Sequence, residues 1–280
     1  MSYYKILGLE KEPFSTSPDP DFFYQSREHT AALYRLRIAV ELRRGLSLIL
    51  GDVGTGKTTL SRKLSQLLSA DSNLVMTMIL NPLYDSDKQF LADLAYQFHV
   101  LPDSEVSHEM SVLDYIQAIE KFLFERGVRE GKTVLLLIDE SQRLTEPCLE
   151  VLRVLLNYET NEYKILQLVL MGQMEFLPRI SQMKNLWDRI ALKYIINPVE
   201  DDEVRELIHF RLKQAGYVSR EPLFSDGAIR VIYDHTQGYP RKIGMMCHDA
   251  LEYLVMHGKA AVDEEVAQAL IQREVKPVGV

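Results

Sequence analysis

The sequence predicts an α/β fold, a parallel sheet flanked by helices and followed by a small all-helical domain, on three observations. Short apolar runs alternate with segments of helical periodicity between residues 46 and 196, a glycine-rich loop joins the first run to a helix, and no convincing strand pattern follows about residue 200.

The first run, Leu46-Ser47-Leu48-Ile49-Leu50, reads as a buried strand. It leads into Gly51-Asp52-Val53-Gly54-Thr55-Gly56-Lys57-Thr58, which fits G-x-x-x-x-G-K-[ST]. The stretch from Thr59 to Leu68 follows, with apolar positions 60, 64, 67 and 68 at helical spacing. Strand, glycine loop and helix start thus stand in the order that a nucleoside triphosphate cradle needs. Glycines let successive N–H groups converge on phosphate oxygens without a Cβ in the way, at a helix N-terminus whose dipole favours anions. Residues Gly51 to Thr59 are the expected nucleotide-binding segment, with Lys57 reaching the β and γ phosphates and Thr58 ligating magnesium through its hydroxyl. An ordinary glycine turn before a helix needs neither the lysine nor the hydroxyl.

Further strand-like runs lie at 74 to 80, 133 to 138, 164 to 171 and 192 to 196. Between the second and third, the stretch from Lys88 to Glu130 predicts two helices, marked by Phe90, Leu91, Leu94, Phe98 and by Val112, Leu113, Ile116, Ile119, Phe122, Leu123. Thr133 to Glu140 is an apolar run ending in two acids, the form of a buried central strand that delivers carboxylates to the carboxyl edge of the sheet. Asp139 is expected to hold magnesium, directly or through water, and Glu140 to polarise the attacking water as general base. Many buried strands end in acidic loops; the glycine loop upstream gives this one its meaning. A built-in base favours hydrolysis over transfer to another acceptor. No Asn/Thr-Lys-x-Asp guanine-reading tetrapeptide occurs, so ATP is the expected nucleotide.

The fourth run ends in Met171-Gly172-Gln173. Gln173 either senses the γ phosphate or orients the water, the alternative being a surface amide in a turn. Asn185-Leu186-Trp187-Asp188-Arg189-Ile190 puts Arg189 just before the final strand. A lone arginine is usually solvated or salt-bridged. Here its guanidinium can instead project into a neighbouring subunit's site and neutralise developing phosphate charge.

After Asn197-Pro198, Glu200-Asp201-Asp202-Glu203 opens an apolar-periodic stretch through Val204, Leu207, Ile208 and Leu212. Acidic residues at a helix start suit the macrodipole, so they read as caps rather than ligands. Gly238-Tyr239-Pro240-Arg241-Lys242-Ile243 places Arg241 near a helix start, where it either touches the nucleotide across a domain cleft or faces water. The expected organisation is an α/β nucleotide-binding domain over 1–199, comprising an N-terminal segment and helix (1–45) and a core (46–199), then a helical lid over 200–274 and a tail at 275–280.

The chain has 280 residues, 46% hydrophobic and 26% charged, which are ordinary globular values. No apolar run approaches the roughly 18–20 residues that cross a bilayer, and Met1-Ser2-Tyr3-Tyr4-Lys5 lacks a secretory signal's apolar segment, so the cytoplasm is expected. Cys148 and Cys247, both in helical contexts, indicate neither a disulfide framework nor a thiolate metal site. A net charge of −8 argues against non-specific coating of nucleic acid, while leaving room for a local basic face. Arg35, Arg37, Arg43 and Arg44, on the helix expected before the first strand, read as a solvated face, with phosphate binding as the alternative.

Together these motifs resemble the AAA+ ATPases, P-loop NTPases of the ASCE class, and specifically the ExeA/GspA-like branch of secretion and pilus systems, whose relatives include transposition ATPases of the TniB kind. The likeness covers nearly the whole chain. It includes Tyr4-Lys5-Ile6-Leu7-Gly8-Leu9 with Pro13-Phe14, Pro18-Asp19-Pro20-Asp21-Phe22-Phe23-Tyr24, Ser26-Arg27-Glu28-His29 and Leu33, besides the glycine loop, Leu137-Ile138-Asp139-Glu140, Val169 to Gln173, Asp188-Arg189-Ile190 and Gly238 to Arg241. The resemblance implies that Phe23 to His29, Phe23 and Tyr24 among them, lie along the adenine edge. It implies Glu140 as the base, Gln173 as sensor 1, Arg189 as a finger acting in trans and Arg241 as sensor 2. It further implies ATP/ADP and Mg2+ as cofactors, and a homo-oligomeric ring or filament of six subunits or a multiple.

Envelope secretion or pilus components are the implied partners, with the membrane reached only through them. The competing expectation is an ATP-dependent DNA-binding regulator of transposition. Secretion members of the branch usually continue into a membrane helix and a peptidoglycan-binding region; with the sequence ending at Val280, either a soluble member or a piece of a longer chain is expected, the leading expectation being a cytoplasmic motor or switch, at most peripheral to the inner membrane. Lys57, Asp139 and Glu140 together argue against a non-hydrolysing switch.

Overall fold

A computed structural model describes residues 2–17, 19–100, 110–219 and 221–275. Met1, Pro18, Arg220, the stretch 101–109 within the expected two-helix insert, and residues 276–280 of the expected tail lie outside the described residues. In chain order the elements are α1 (Tyr3–Ile6), α2 (Arg27–Glu41), β1 (Leu46–Gly51), α3 (Lys57–Leu68), β2 (Leu74–Ile79), α4 (Asp87–Gln97), α5 (Val112–Phe124), β3 (Thr133–Ile138), α6 (Glu146–Leu155), β4 (Leu166–Gly172), α7 (Phe176–Gln182), α8 (Lys184–Trp187), β5 (Ile190–Ile196), α9 (Asp201–Gln214), α10 (Asp226–Thr236), α11 (Pro240–His257) and α12 (Glu264–Val275). They belong to two compact units, Ala31–Asp52 with Leu60–Ile196, and Met1–Thr30 with Val53–Thr59 and Asn197–Val280.

The first unit holds the sheet. Its strands run in the order β2-β3-β4-β1-β5, and every pairing is parallel. β1 and β4 are buried along their whole length and β3 along all but its first residue, so both faces of the sheet are covered, as the nearly continuous apolar runs require. Leu46, Leu48, Val134, Leu136, Leu168 and Leu170 share one core with Phe90, Leu94, Ile119, Leu152 and Phe176. The edge strand β5 is buried at its two ends and alternates exposed with partly buried positions between them. The fourth strand begins at Leu166 rather than 164, because Lys164 is taken up in a bridge with Glu159, and the fifth begins two residues earlier than expected.

The two helices expected between Lys88 and Glu130 are α4 and α5. Ser86 caps the first by accepting from the Gln89 N–H at 3.1 Å, and Ser111 with Asp114 forms a capping box on the second. A π-helical turn, Glu125–Arg129, continues α5.

The arginines before β1 depart from the expectation. α2 stops at Glu41, and Arg43 takes a left-handed backbone (φ 49°) that lets its N–H and that of Arg44 return to the Val40 and Ala39 carbonyls, each at 3.0 Å. Arg43 and Arg44 are therefore on a turn, not on the helix. The Arg43 guanidinium donates to Thr133 Oγ1 at 3.2 Å, to the Gly127 carbonyl at 3.3 Å and to the Gly131 carbonyl, and lies over the Tyr163 ring at 4.4 Å. Arg35 lies over Tyr194 at 5.2 Å and Arg37 pairs with Glu41 at 3.1 Å. Arg43→Ala removes these bonds but leaves the Gly127 carbonyl its Tyr163 hydroxyl at 3.2 Å and the Gly131 carbonyl open to water, so it is expected to lower unfolding stability by about 1 kcal/mol in urea titration. Arg44→Ala, at an exposed position, is expected to stay within about 0.5 kcal/mol.

The second unit is helical. Leu9, Phe14 and Phe22 are buried in one core with Val204, Leu207, Ile208, Leu212, Ile243, Cys247 and Leu251. Phe14 meets Phe224 edge to face at 6.1 Å, and the Arg211 guanidinium sits 5.8 Å from the Phe14 ring and donates to the Ser15 carbonyl at 3.0 Å. Packing therefore groups the first thirty residues with the helices after Asn197, whereas chain order alone suggests a division at 199/200. Gly238 is needed here: its φ is 73°, and a Cβ would stand 2.0 Å from the Val199 carbonyl oxygen.

The acids opening α9 act as caps. Glu200 and Glu203 form a capping box, and Glu203 also accepts the Arg27 N–H at 2.7 Å. The Arg27 guanidinium reaches Glu200 at 2.9 Å and Asp202 at 2.6 Å. Among the described residues after 200, strand-like pairing is confined to one bridge, Phe224 with Val262. Cys148 and Cys247 are free and buried.

Candidate functional site

β1 gives way at Gly51 to the glycine loop, and α3 opens on Lys57, Thr58 and Thr59. Gly54 and Gly56 have φ of 87° and 95°, a region that L side chains rarely enter. A Cβ on Gly54 would stand 3.0 Å from Arg241 Cβ, and one on Gly56 would stand 2.9 Å from His29 Nε2 and 3.7 Å from the Phe23 ring. Both glycines are thus required by backbone conformation and by close approach. Thr55 and Lys57 are buried. The first N–H groups of a helix have no partner within it, so the α3 start and this cradle suit an anion, and the lysine adds charge.

Arg241 is the second residue of α11, whose first residue is Pro240. Its N–H donates to the Gly54 carbonyl at 3.2 Å, so the sequence-predicted arginine and the glycine loop are brought together through the backbone, while its side chain is exposed. Phe23 packs its ring on His29 with centroids 4.8 Å apart. His29 is buried, with Nδ1 2.7 Å from Ser26 Oγ and Nε2 2.8 Å from the Thr55 carbonyl oxygen. Burial pushes its pKa below the ordinary histidine value, which keeps the ring neutral at physiological pH. Tyr24, by contrast, donates its hydroxyl to Glu206 on α9 at 2.6 Å and packs near Phe210; burial and the Glu206 carboxylate push its phenol upward.

In the sheet unit, Asp139 follows β3 directly, is 1% exposed, and accepts the Glu140 N–H on Oδ1 at 2.9 Å. Glu140 sits in the left-handed region (φ 50°, ψ 36°), a conformation uncommon for a non-glycine residue and frequent at functional turns. Its Oε2 accepts from Gln142 Nε2 at 2.6 Å and from Gln173 Nε2 at 3.3 Å. The Gln173 N–H in turn donates to Gln142 Oε1 at 3.2 Å. Glu140 and Gln173, predicted separately, are therefore joined, and the joint is Gln142, which sequence reasoning missed. The signal available was an amide two residues beyond the acid pair, at a turn facing the end of the next parallel strand.

Arg189 is placed differently. It immediately precedes β5, so it stands at the amino-terminal edge of a parallel sheet whose carboxyl-terminal edge carries Asp139, Glu140 and Gln173. Its Nε donates to the Asn185 carbonyl at 3.1 Å in an exposed setting.

The donor chemistry of Thr58 and Asp139, a hydroxyl and a carboxylate, suits a hard cation such as magnesium. The glycine cradle that a Cβ would fill suits a phosphate chain.

Residues 40–180 match the AAA domain family. The chain is 34% identical over 254 residues to General secretion pathway protein A of Aeromonas hydrophila, an alignment covering 89% of this chain and 44% of that protein. It thus spans less than half of that relative's length. Among solved structures it is similar to CDC6P from Pyrobaculum aerophilum, with TM-score 0.68 and 18% identity over 89% of this chain and 67% of that one. It is also similar to the ORC2 protein of Aeropyrum pernix in ADPNP–ADP complexes, with TM-score 0.66 and 15% identity over 96% of this chain and 73% of that one. At such identities the likeness is one of fold. Among the described residues, no helix is long and apolar enough to cross a membrane.

Proposed function

Because the chain belongs to the AAA domain family, we propose that it binds ATP with magnesium, hydrolyses it, and couples that cycle to assembly or operation of a bacterial secretion or pilus machine in the envelope. The observation that carries hydrolysis is the Glu140 carboxylate held by two amides at the carboxyl end of a buried strand. The identity to a general secretion protein supports the envelope link.

In this reading the loop N–H groups from Gly51 to Thr59 and the Lys57 ammonium hold the phosphates, with Phe23 and Tyr24 toward the adenine edge. Thr58 and Asp139 would hold magnesium, which when bound neutralises charge on the β and γ phosphates. Glu140 takes the proton of the attacking water, and Gln173, tied to the same carboxylate oxygen, reports whether the γ phosphate is present. Arg241 acts as the sensor on the 200–274 lid. Arg189, at the opposite edge of the sheet from Glu140, acts on a neighbouring subunit's nucleotide in a ring or filament of identical chains.

The transposition-regulator alternative gains nothing from Arg35, Arg37 and Arg43, which are engaged within the sheet unit, and is left with the exposed Arg44 among the arginines before β1. The deciding measurement is the particle mass of Glu140→Gln with magnesium and ATP, with and without a long DNA duplex. Assembly on ATP alone is the expected result; growth only when DNA is present would overturn the envelope reading in favour of the DNA-dependent one.

A further inference from the structure

His29 faces the glycine loop rather than open solvent, and its partners define its chemistry. The Thr55 carbonyl oxygen can only accept, so Nε2 must carry the hydrogen that spans 2.8 Å. A neutral ring then leaves Nδ1 as an acceptor, and Ser26 Oγ, 2.7 Å away, must donate to it. The same hydroxyl oxygen accepts the His29 N–H at 3.3 Å, and both side chains are 1% exposed or less. Burial of the ring supports the neutral form.

A trans peptide holds its C=O and the following N–H on opposite sides. Pinning the Thr55 carbonyl to His29 therefore turns the Gly56 N–H the other way. Without that hydrogen bond the peptide can turn at Gly56, where no side chain restricts the backbone, and a carbonyl lone pair turned into the cradle would repel phosphate. The fit is close on the other side too, since a Cβ on Gly56 would press on His29 Nε2.

We propose that Ser26 and His29 are positioning residues that brace the Thr55–Gly56 peptide so that the loop presents its N–H, and not its carbonyl, to a nucleotide's phosphate chain. This rests on the reading that the loop binds nucleotide, and it gives His29 a task toward the phosphates instead of the adenine base.

The test is calorimetric binding of ADP and of inorganic pyrophosphate to the full chain and to His29→Gln, His29→Leu and Ser26→Ala. His29→Leu fills the space without a donor and is expected to weaken both ligands about tenfold, the loss of one well-placed hydrogen bond. His29→Gln, whose side-chain amide offers an N–H where Nε2 stood, is expected to restore most of that loss. Weakening of ADP with pyrophosphate unchanged would mean a base contact and overturn the brace, as would equal loss in His29→Leu and His29→Gln. If His29→Leu fails to fold, Ser26→Ala decides: a loss of about threefold for both ligands supports the brace, and wild-type affinity overturns it. A wild-type chain that binds neither ligand would remove the nucleotide reading itself, an outcome separate from all of these.

Discussion

Glu140→Gln is expected to bind ATP as the wild-type chain does and to turn it over at least about a hundredfold more slowly. The substitution is unusually clean here. Glu140 accepts on Oε2 from the side-chain amides of Gln142 and Gln173, and a glutamine carbonyl can accept from both in the same place. Geometry is kept while the negative charge and the basicity are lost. Nucleotide affinity by calorimetry and phosphate release under saturating ATP separate the two effects. Turnover at the wild-type rate in Glu140→Gln would take this carboxylate out of the base role.

Lys57→Ala is expected to weaken ATP and ADP by at least about a hundredfold. The lysine is 6% exposed and opens α3 beside the glycine loop, so its ammonium can meet a phosphate with little competition from water. A mixture offers a sharper test. Arg189→Ala is expected to keep nucleotide affinity and lose activity, and mixing it with Lys57→Ala should recover part of that activity. On the proposed assembly, a mixture would let an intact Lys57 site face an intact Arg189 from its neighbour. No recovery on mixing would confine Arg189 to its own chain or to no catalytic task.

The parts of the molecule written in local pattern were legible beforehand. β1, β3 and β4 read as nearly continuous apolar runs because both their faces are buried, and the glycine loop is a contiguous motif. What escaped depends on distant partners. Gln142 has no periodicity to announce it, and its place becomes apparent only when the end of β4 lies beside the turn after β3. The apolar spacing of α2 runs smoothly up to Arg43 and predicts a helix there, while a left-handed residue ends the helix and sends the guanidinium to Gly127, Gly131 and Thr133. Leu9, Phe14 and Phe22 fall in short apolar patches without helical or strand periodicity, which do not predict that they share a core with the C-terminal helices.

The strand order also bears on how the chain is made. β1 lies between β4 and β5, both of which leave the ribosome long after it, while β2 and β3 pair with each other first. At about 5–20 residues per second, β1 waits on the order of ten seconds for either neighbour. During that interval a largely apolar segment with two unpaired backbone edges is available to bind other nascent chains. A ribosome stalled before Leu166 would hold that segment open indefinitely, so synthesis of this protein is expected to depend on chaperone capture at its N-terminal third more than its finished stability would indicate.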